Sequence, residues 1–460
     1  YGDHRDLHLS LRRQRQMCIR DRYQIKQFIL QKTFKLVFLI ILHIHHQKER
    51  KNRFKMKRVV ITGIGIVSSI GNNVNEVLKS LQLEKSGISF NKEQADLGFR
   101  SHVCGDISAD IKKLVPRKDL RFMGDGAAYS HISMAEAIND SKLSQDEISN
   151  NRTGLIVGSG ASSGLPIVEM SDVLRSKGAR RVNPFFVPKI MSSCNSANLA
   201  TAFKIKGFNY SISSACATSS HCLGNAFHTI QNGLQDRMFV GGGDEITYII
   251  TLPFDAMGAL SANFNDIPEK ASRPYDKDRD GFVVSGGGGT IILEEYEIAK
   301  NRGAKIYCEV TGYGLSSDGF DMVRPSGEGA EFCMKMATKD LKEPIDYLNA
   351  HGTSTPAGDI TELKAIKNAF SDKGYMPLIS STKSLTGHSL GAAGVHESIY
   401  SILMLKNSFI PASVNIDNLD PEAEGFPIVQ EGIQNQVLNN VMSNSFGFGG
   451  TNCSLVFSRI

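Results

Sequence analysis

Ser213-Ser214-Ala215-Cys216-Ala217-Thr218-Ser219 joins two different patterns. Before it, Asn209-Tyr210-Ser211-Ile212 reads as a strand; after it, Leu223, Ala226, Phe227 and Ile230 recur at helical spacing. A thiol where a strand gives way to a helix stands beside unpaired backbone N–H groups, and a helix start favours the thiolate. Cys216 is therefore expected to be acidified. Far downstream lie His351-Gly352-Thr353-Ser354-Thr355-Pro356 and Lys383-Ser384-Leu385-Thr386-Gly387-His388-Ser389. One thiol, two imidazoles and an ammonium, each in a turn rich in Gly or Ser, are the parts of a nucleophile with electrophilic helpers. They point to acyl transfer.

Around this junction the chain alternates strands and helices. Lys57-Arg58-Val59-Val60-Ile61-Thr62-Gly63-Ile64-Gly65 is a short apolar strand running into glycines. Further strands are predicted at 153–158, 210–213, 238–241, 290–293, 305–312, 378–381, 436–444 and 452–457, with helices at 362–370 and 395–405 among those between them. Such alternation implies an α/β fold with sheets covered on both faces. Gly63 and Gly65 do not begin a dinucleotide fingerprint, because the third glycine position is Ser68 and no acidic ribose ligand follows. Gly286–Gly289 lacks the Lys-Ser/Thr pair of a phosphate loop and reads as tight packing. A faint symmetry divides the chain into 56–304, carrying Cys216, and 305–460, carrying both histidines and Lys383. Cys216 is expected to open a helix in the first half and His388 one in the second, where Gly391-Ala392-Ala393-Gly394 permits close packing.

The chain has 460 residues, 41% hydrophobic and 22% charged, the balance of a globular protein. Its net charge of +5 is misleading, since residues 1–55 hold 14 Lys/Arg against 4 Asp/Glu and the remainder holds 38 against 43. A mildly acidic body excludes nucleic-acid binding by bulk charge. Eight cysteines without metal-type spacing suggest free thiols, no metal site and a cytoplasmic setting. Residues 1–55 resemble nothing that follows. The apolar run 36–42 is far short of the roughly 18 residues needed to cross a bilayer, and no small-residue cleavage site follows it. Ser10 is the only serine there, against a transit peptide. This segment reads as an artefactual or disordered extension, and residues from Met56 onward are expected to suffice for folding and activity.

Several stretches carry a family resemblance: 210–220, Phe254-Asp255-Ala256-Met257-Gly258-Ala259-Leu260-Ser261, 286–289 and 442–452. Over residues 56–457 the sequence resembles the β-ketoacyl-acyl-carrier-protein synthases, the condensing enzymes of fatty acid synthesis, most closely the bacterial type I branch. Arg273-Pro274-Tyr275-Asp276-Lys277-Asp278-Arg279-Asp280 leans toward type II. The resemblance implies the thiolase fold, a duplicated α-β-α-β-α core of five layers, and a homodimer. A Cys-His-His set departs from the Cys-His-Asn of type III enzymes and the Cys-His-Cys of thiolases, and a chain-length partner would lack the nucleophile.

By this resemblance Cys216 takes an acyl group from acyl carrier protein, and His351 and His388 donate Nε2 hydrogen bonds to the thioester oxygen of malonyl-acyl-carrier protein as decarboxylation makes an enolate. Lys383 organises the charge of the site, with Glu362 as its expected partner. Thr353 and Thr355 are the phosphopantetheine-binding hydroxyls, although threonines in a turn also cap backbone groups. Backbone N–H groups of Cys216 and Phe448 form the oxyanion hole, and Phe448, between Gly447 and Gly449, gates the acyl pocket. His131, His221, His228 and His396 read as ordinary helix residues. No cofactor is permanently bound; substrates arrive on the phosphopantetheine of the acidic carrier protein, for which Arg117, Lys118 and Arg121, and Lys177, Arg180 and Arg181, are the candidate docking clusters. A membrane role is not expected. A secondary-metabolism synthase of the same mechanism remains the alternative, and chain-length preference is not encoded in these motifs.

Overall fold

Val59–Val67 (β1) is buried at every position, so it can only be an interior strand, packed on both faces. The computed structural model describes residues 56–460, together with Arg15, Gln16, Met17, Cys18, Arg20, Arg22, Lys26, Lys32 and Lys35, each helical. The reading of 1–55 as an extension therefore falls largely outside the described residues. Tyr1–Met56 and Lys57–Ile460 are separate units, and the architecture below is that of the second.

Nine further strands complete one sheet: β2 (Thr153–Gly158), β3 (Asn209–Tyr210), β4 (Arg237–Asp244), β5 (Gly287–Glu295), β6 (Cys308–Ser317), β7 (Tyr347–Asn349), β8 (Leu378–Ser380), β9 (Asn440–Gly447) and β10 (Thr451–Ser458). Their order is β8-β7-β9-β10-β6-β1-β5-β4-β2-β3. From one end, β3-β2-β4 pair in parallel and β4-β5-β1 antiparallel. From the other, β8-β7-β9 pair in parallel and β9-β10-β6 antiparallel. Adding five to each strand number of the first half gives the second. The duplication that the sequence hinted at is thus explicit in the topology. The halves meet at a seam where Val59, Val60 and Ile61 oppose Val310, Glu309 and Cys308.

Helices make the remaining layers. Asp125–Ser141 (α1) and Cys194–Phe203 (α2) cover the outer face of the first half, whereas Glu328–Ala337 (α4) and Pro356–Phe370 (α5) cover that of the second. Between the halves lie Thr218–Gln231 (α3) and Ala393–Asn407 (α6). Every residue of α6 from Ala393 to Leu405 is buried, the signature of a helix with protein on all sides. The layers run α-β-α-β-α. Gly394 lets the two central helices meet at their N-terminal ends: a Cβ there would stand 2.1 Å from Ser220 Oγ and 2.7 Å from its backbone nitrogen.

Three local expectations change. Strand β3 stops at Tyr210 because hydroxyls take over the next backbone groups: Ser211 Oγ donates to the Val157 carbonyl (2.7 Å) and Ser214 N–H donates to Thr218 Oγ1 (2.8 Å). Cys216 lies in a 3-10 turn, Ala215–Ala217, just before α3. His388 does not open a helix; the short helix Lys383–Thr386 precedes it and the turn Leu390–Ala392 separates it from α6. Gly387 (φ 66°) and Leu390 (φ 52°) reverse the chain on either side of it.

The paired glycines of β1 have a packing role. A Cβ on Gly65 would lie 2.0 Å from the Ser133 carbonyl oxygen and 2.8 Å from Ala137 N, both backbone atoms of α1. Neither can rotate away. Gly65→Ala is therefore expected to reduce stability by about 3 kcal/mol, read from the chemical-denaturation midpoint; an unchanged midpoint would contradict this packing account.

Candidate active site

The turns that precede the two central helices and the tip of the β9–β10 hairpin line a cavity of about 390 Å³. Cys216, His351, His388, Thr353, Thr355 and Phe448 all line it, from segments up to 232 residues apart. Lys383 lies behind the wall at 1% exposure.

Ala215 adopts a left-handed conformation (φ 47°), which turns the half-buried Cys216 into the cavity. The backbone N–H groups of Phe448 and of Cys216 itself point at the sulfur. The expected acidification is not found in the resting site. Burial pushes the thiol up, to about 11, against the opposing pull of the Lys383 charge and these N–H groups. The site supplies donors for charge that develops, rather than holding a thiolate in advance.

His351 and His388 meet edge to face, ring centroids 5.2 Å apart. Burial, reinforced by the Lys383 charge, holds both imidazoles well below their ordinary protonation range, so both are neutral near pH 7. Lys383 Nζ lies 3.5 Å from His351 Nδ1. An ammonium group only donates, so Nδ1 accepts and the ring proton of His351 sits on Nε2. His388 is held through its backbone: its N–H donates to the Val283 carbonyl (2.7 Å) and its carbonyl accepts from Ser285 N–H (2.9 Å).

The expected Glu362–Lys383 pair does not form. Glu362 instead accepts from the backbone N–H groups of His351 (2.9 Å) and Gly352 (2.8 Å) and from Asn444 Nδ2 (3.1 Å). It orients the histidine turn, because the amides of that turn face the first helical turns of α5. The ion partner of Lys383 is Glu397 on α6, with both side chains at 2% exposure. Burial raises Glu397 to about 7 despite the nearby cation. A signal for Glu397 was present: it is the one acid in the apolar stretch 395–405, where an unpaired carboxylate would be costly.

Thr355 occupies the N-cap of α5 but makes no side-chain capping bond. Asp359, in the first turn of α5, instead reaches back to the entering chain, accepting from Ser354 N–H (3.1 Å) and Thr355 N–H (3.3 Å). The Thr353 and Thr355 hydroxyls lie 3.1 Å apart at the cavity wall. At the cavity rim, Phe448 is 38% exposed and is followed by Gly449 (φ 83°) and Gly450 (φ 73°). Gly449 N–H is tied to the Met322 carbonyl (2.8 Å).

The basic residues are not part of the cavity wall. Arg117, Lys118, Arg121, Lys177, Arg180 and Arg181 are all exposed. Arg121 stacks over Phe122 (4.6 Å) and over Phe185 (5.2 Å), which lies four residues beyond Arg181. Among the described residues no group of acids, histidines and cysteines is arranged to hold a metal.

The chain is 57% identical over 407 residues to the 3-oxoacyl-[acyl-carrier-protein] synthase 1 of Escherichia coli strain K12, spanning 88% of this chain and all of that protein. It is 56% identical over 405 residues to the synthase 1 of Haemophilus influenzae, spanning 88% and 99%. A solved type II polyketide ketosynthase in complex with its acyl-carrier protein superposes with a TM-score of 0.80 at 28% identity, over 88% of this chain and the whole of that one. The N-terminal domain of beta-ketoacyl synthases matches residues 56–299 and the C-terminal domain residues 307–417, and the chain belongs to the β-ketoacyl synthase family.

Proposed function

We propose that this chain elongates acyl groups in fatty acid biosynthesis by decarboxylative condensation with malonyl-acyl-carrier protein, and that Cys216, His351, His388 and Lys383 perform it. The carrying observation is the convergence of a thiol, two backbone N–H donors and two neutral imidazoles on one cavity. The Cys216 sulfur attacks the carrier's acyl thioester; the carbonyl oxygen takes negative charge facing the N–H groups of Cys216 and Phe448, and the pantetheine sulfur leaves with the thiol's proton. Malonyl thioester then occupies the emptied cavity, its pantetheine amides meeting Thr353 and Thr355. Loss of CO2 leaves an electron pair in an enolate whose oxygen accepts hydrogen bonds from the Nε2–H of each histidine. The enolate carbon attacks the acyl-enzyme, the C–S bond breaks to release Cys216 as a thiolate that regains its proton from solvent, and the 3-oxoacyl chain departs on the carrier. No step draws on a bound cofactor.

We infer that the exposed arginines and lysines around Phe122 and Phe185 receive the acidic carrier, and that Phe448 swings on its glycines to admit the chain. A homodimer fits the open side of β3, whose two residues are both exposed. Free cysteines suit the cytoplasm, and no described helix is long and apolar enough to cross a membrane.

Three measurements test this reading. With acyl- and malonyl-carrier protein, mass spectrometry should find the acyl mass on the Cys216 peptide, and Cys216→Ala should abolish 3-oxoacyl product; acyl mass on Cys222 or Cys194 instead would overturn the assignment. Because burial and Lys383 lower both imidazoles, CO2 release should persist below pH 6.5. Removing the charge with its partner, in Lys383→Met/Glu397→Gln, should move the acid limb to higher pH, since one force depressing the histidines is gone. An unmoved limb would remove the histidines from the enolate step. Reversing Arg117 and Lys118 to Glu should raise KM for acyl-carrier protein and leave short acyl-coenzyme A mimics unaffected; equal effects on both would refute the docking face.

A further inference from the structure

The Phe448 turn is held from below by two neighbouring residues of α3. Ser220 Oγ lies 2.8 Å from Ser445 Oγ, and His221 Nε2 lies 3.1 Å from Thr451 Oγ1. Ser445 belongs to β9 and Thr451 opens β10, so each helix residue grips one strand of the hairpin whose tip carries Phe448. Thr451 is the ladder partner of Gly447. A Cβ on Gly447 would stand 2.9 Å from Thr451 Cγ2 and 3.1 Å from both Cys216 N and the Ser214 carbonyl oxygen. The foot of the hairpin therefore rests directly on the nucleophile turn.

The imidazole of His221 is fixed at both ends, its Nδ1 lying 2.9 Å from the Tyr313 hydroxyl of β6. The ring is buried, and burial keeps it neutral, so one nitrogen donates and the other accepts. This is more order than a helix histidine filling space requires. Resting on the proposed role of the Phe448 N–H, we propose that Ser220 and His221 are positioning residues that lock both feet of the Phe448 turn to the nucleophile helix and so aim that N–H at the reacting centre during acyl transfer. Donor placement of this kind controls rate steeply, because a displaced donor loses the developing oxyanion.

The test compares two half-reactions of the full-length enzyme. Acylation of Cys216 from acyl-carrier protein uses the Phe448 N–H; CO2 release from malonyl-carrier protein uses the histidine pair. Thr451→Val, which removes the hydroxyl but keeps the shape, is expected to slow acylation about 10-fold with less than about 2-fold change in CO2 release. Ser220→Ala is expected to show the same selectivity. Thr451→Ser, which restores the hydroxyl, should recover acylation to within about 3-fold. Unchanged acylation in Thr451→Val would overturn the proposal; so would equal loss in both half-reactions with a lowered unfolding midpoint, or failure of the Ser variant to rescue. Absence of acyl mass on Cys216 in the wild-type enzyme would instead overturn the functional reading on which the proposal stands.

Discussion

The contact between Gly394 and Ser220 is the constraint on which the site depends. Two helices from different halves approach end to end because no side chain stands between them at that point. Gly391, just before α6, makes a second close approach between the halves, where a Cβ would meet Gly160 N, beyond the end of β2, at 2.3 Å. With the helix starts this close, the turns that precede them are forced into one cavity, and those turns carry Cys216 and His388. Larger residues at either glycine would part the halves before they altered any catalytic side chain.

Burial then sets the electrostatics. Lys383 and Glu397 are charged groups placed where water does not reach, an arrangement that costs several kcal/mol per ion and is offset only by close pairing. What the pair provides is a fixed positive field beside two imidazoles. That field and the dry surroundings act in the same sense on His351 and His388, keeping them as hydrogen-bond donors rather than cations. On Cys216 the two influences oppose each other, and burial is the larger. The same cation thus works with the environment at one step and against it at another.

Much of this was legible in the chain because short-range chemistry writes it there. Cys216, His351, Lys383 and His388 stand in turns of small residues, where side chains with reactive heads are presented rather than packed, and the structure gathers them at one place. Their resemblance to a known family supplied the roles. Pairings decided by tertiary packing were not legible. Glu362 looked like the partner of Lys383 from its position after the histidine turn, yet the backbone amides of His351 and Gly352 claim it. Glu397, the one acid of 395–405, carries a signal in the sequence, but its partner is decided by the burial of α6 on all sides. The acidity of Cys216 was misjudged because a helix start is visible in sequence and desolvation is not. His221 looked ordinary for a similar reason: its two partners come from β6 and β10, 92 and 230 residues away.

The strand order of the two halves is one pattern used twice, but the chemistry is not. The sulfur proposed to store the chain belongs to the first copy, and the two imidazoles and the cation proposed to handle the incoming unit belong to the second. A scaffold with near twofold repetition thereby supports a reaction with a direction, since the donor and acceptor fragments meet different walls of a common chamber. Divergence in one copy can reshape how a chain is stored without disturbing the frame that activates its partner. That separation gives the architecture room to change substrate while its bond-forming geometry stays constant.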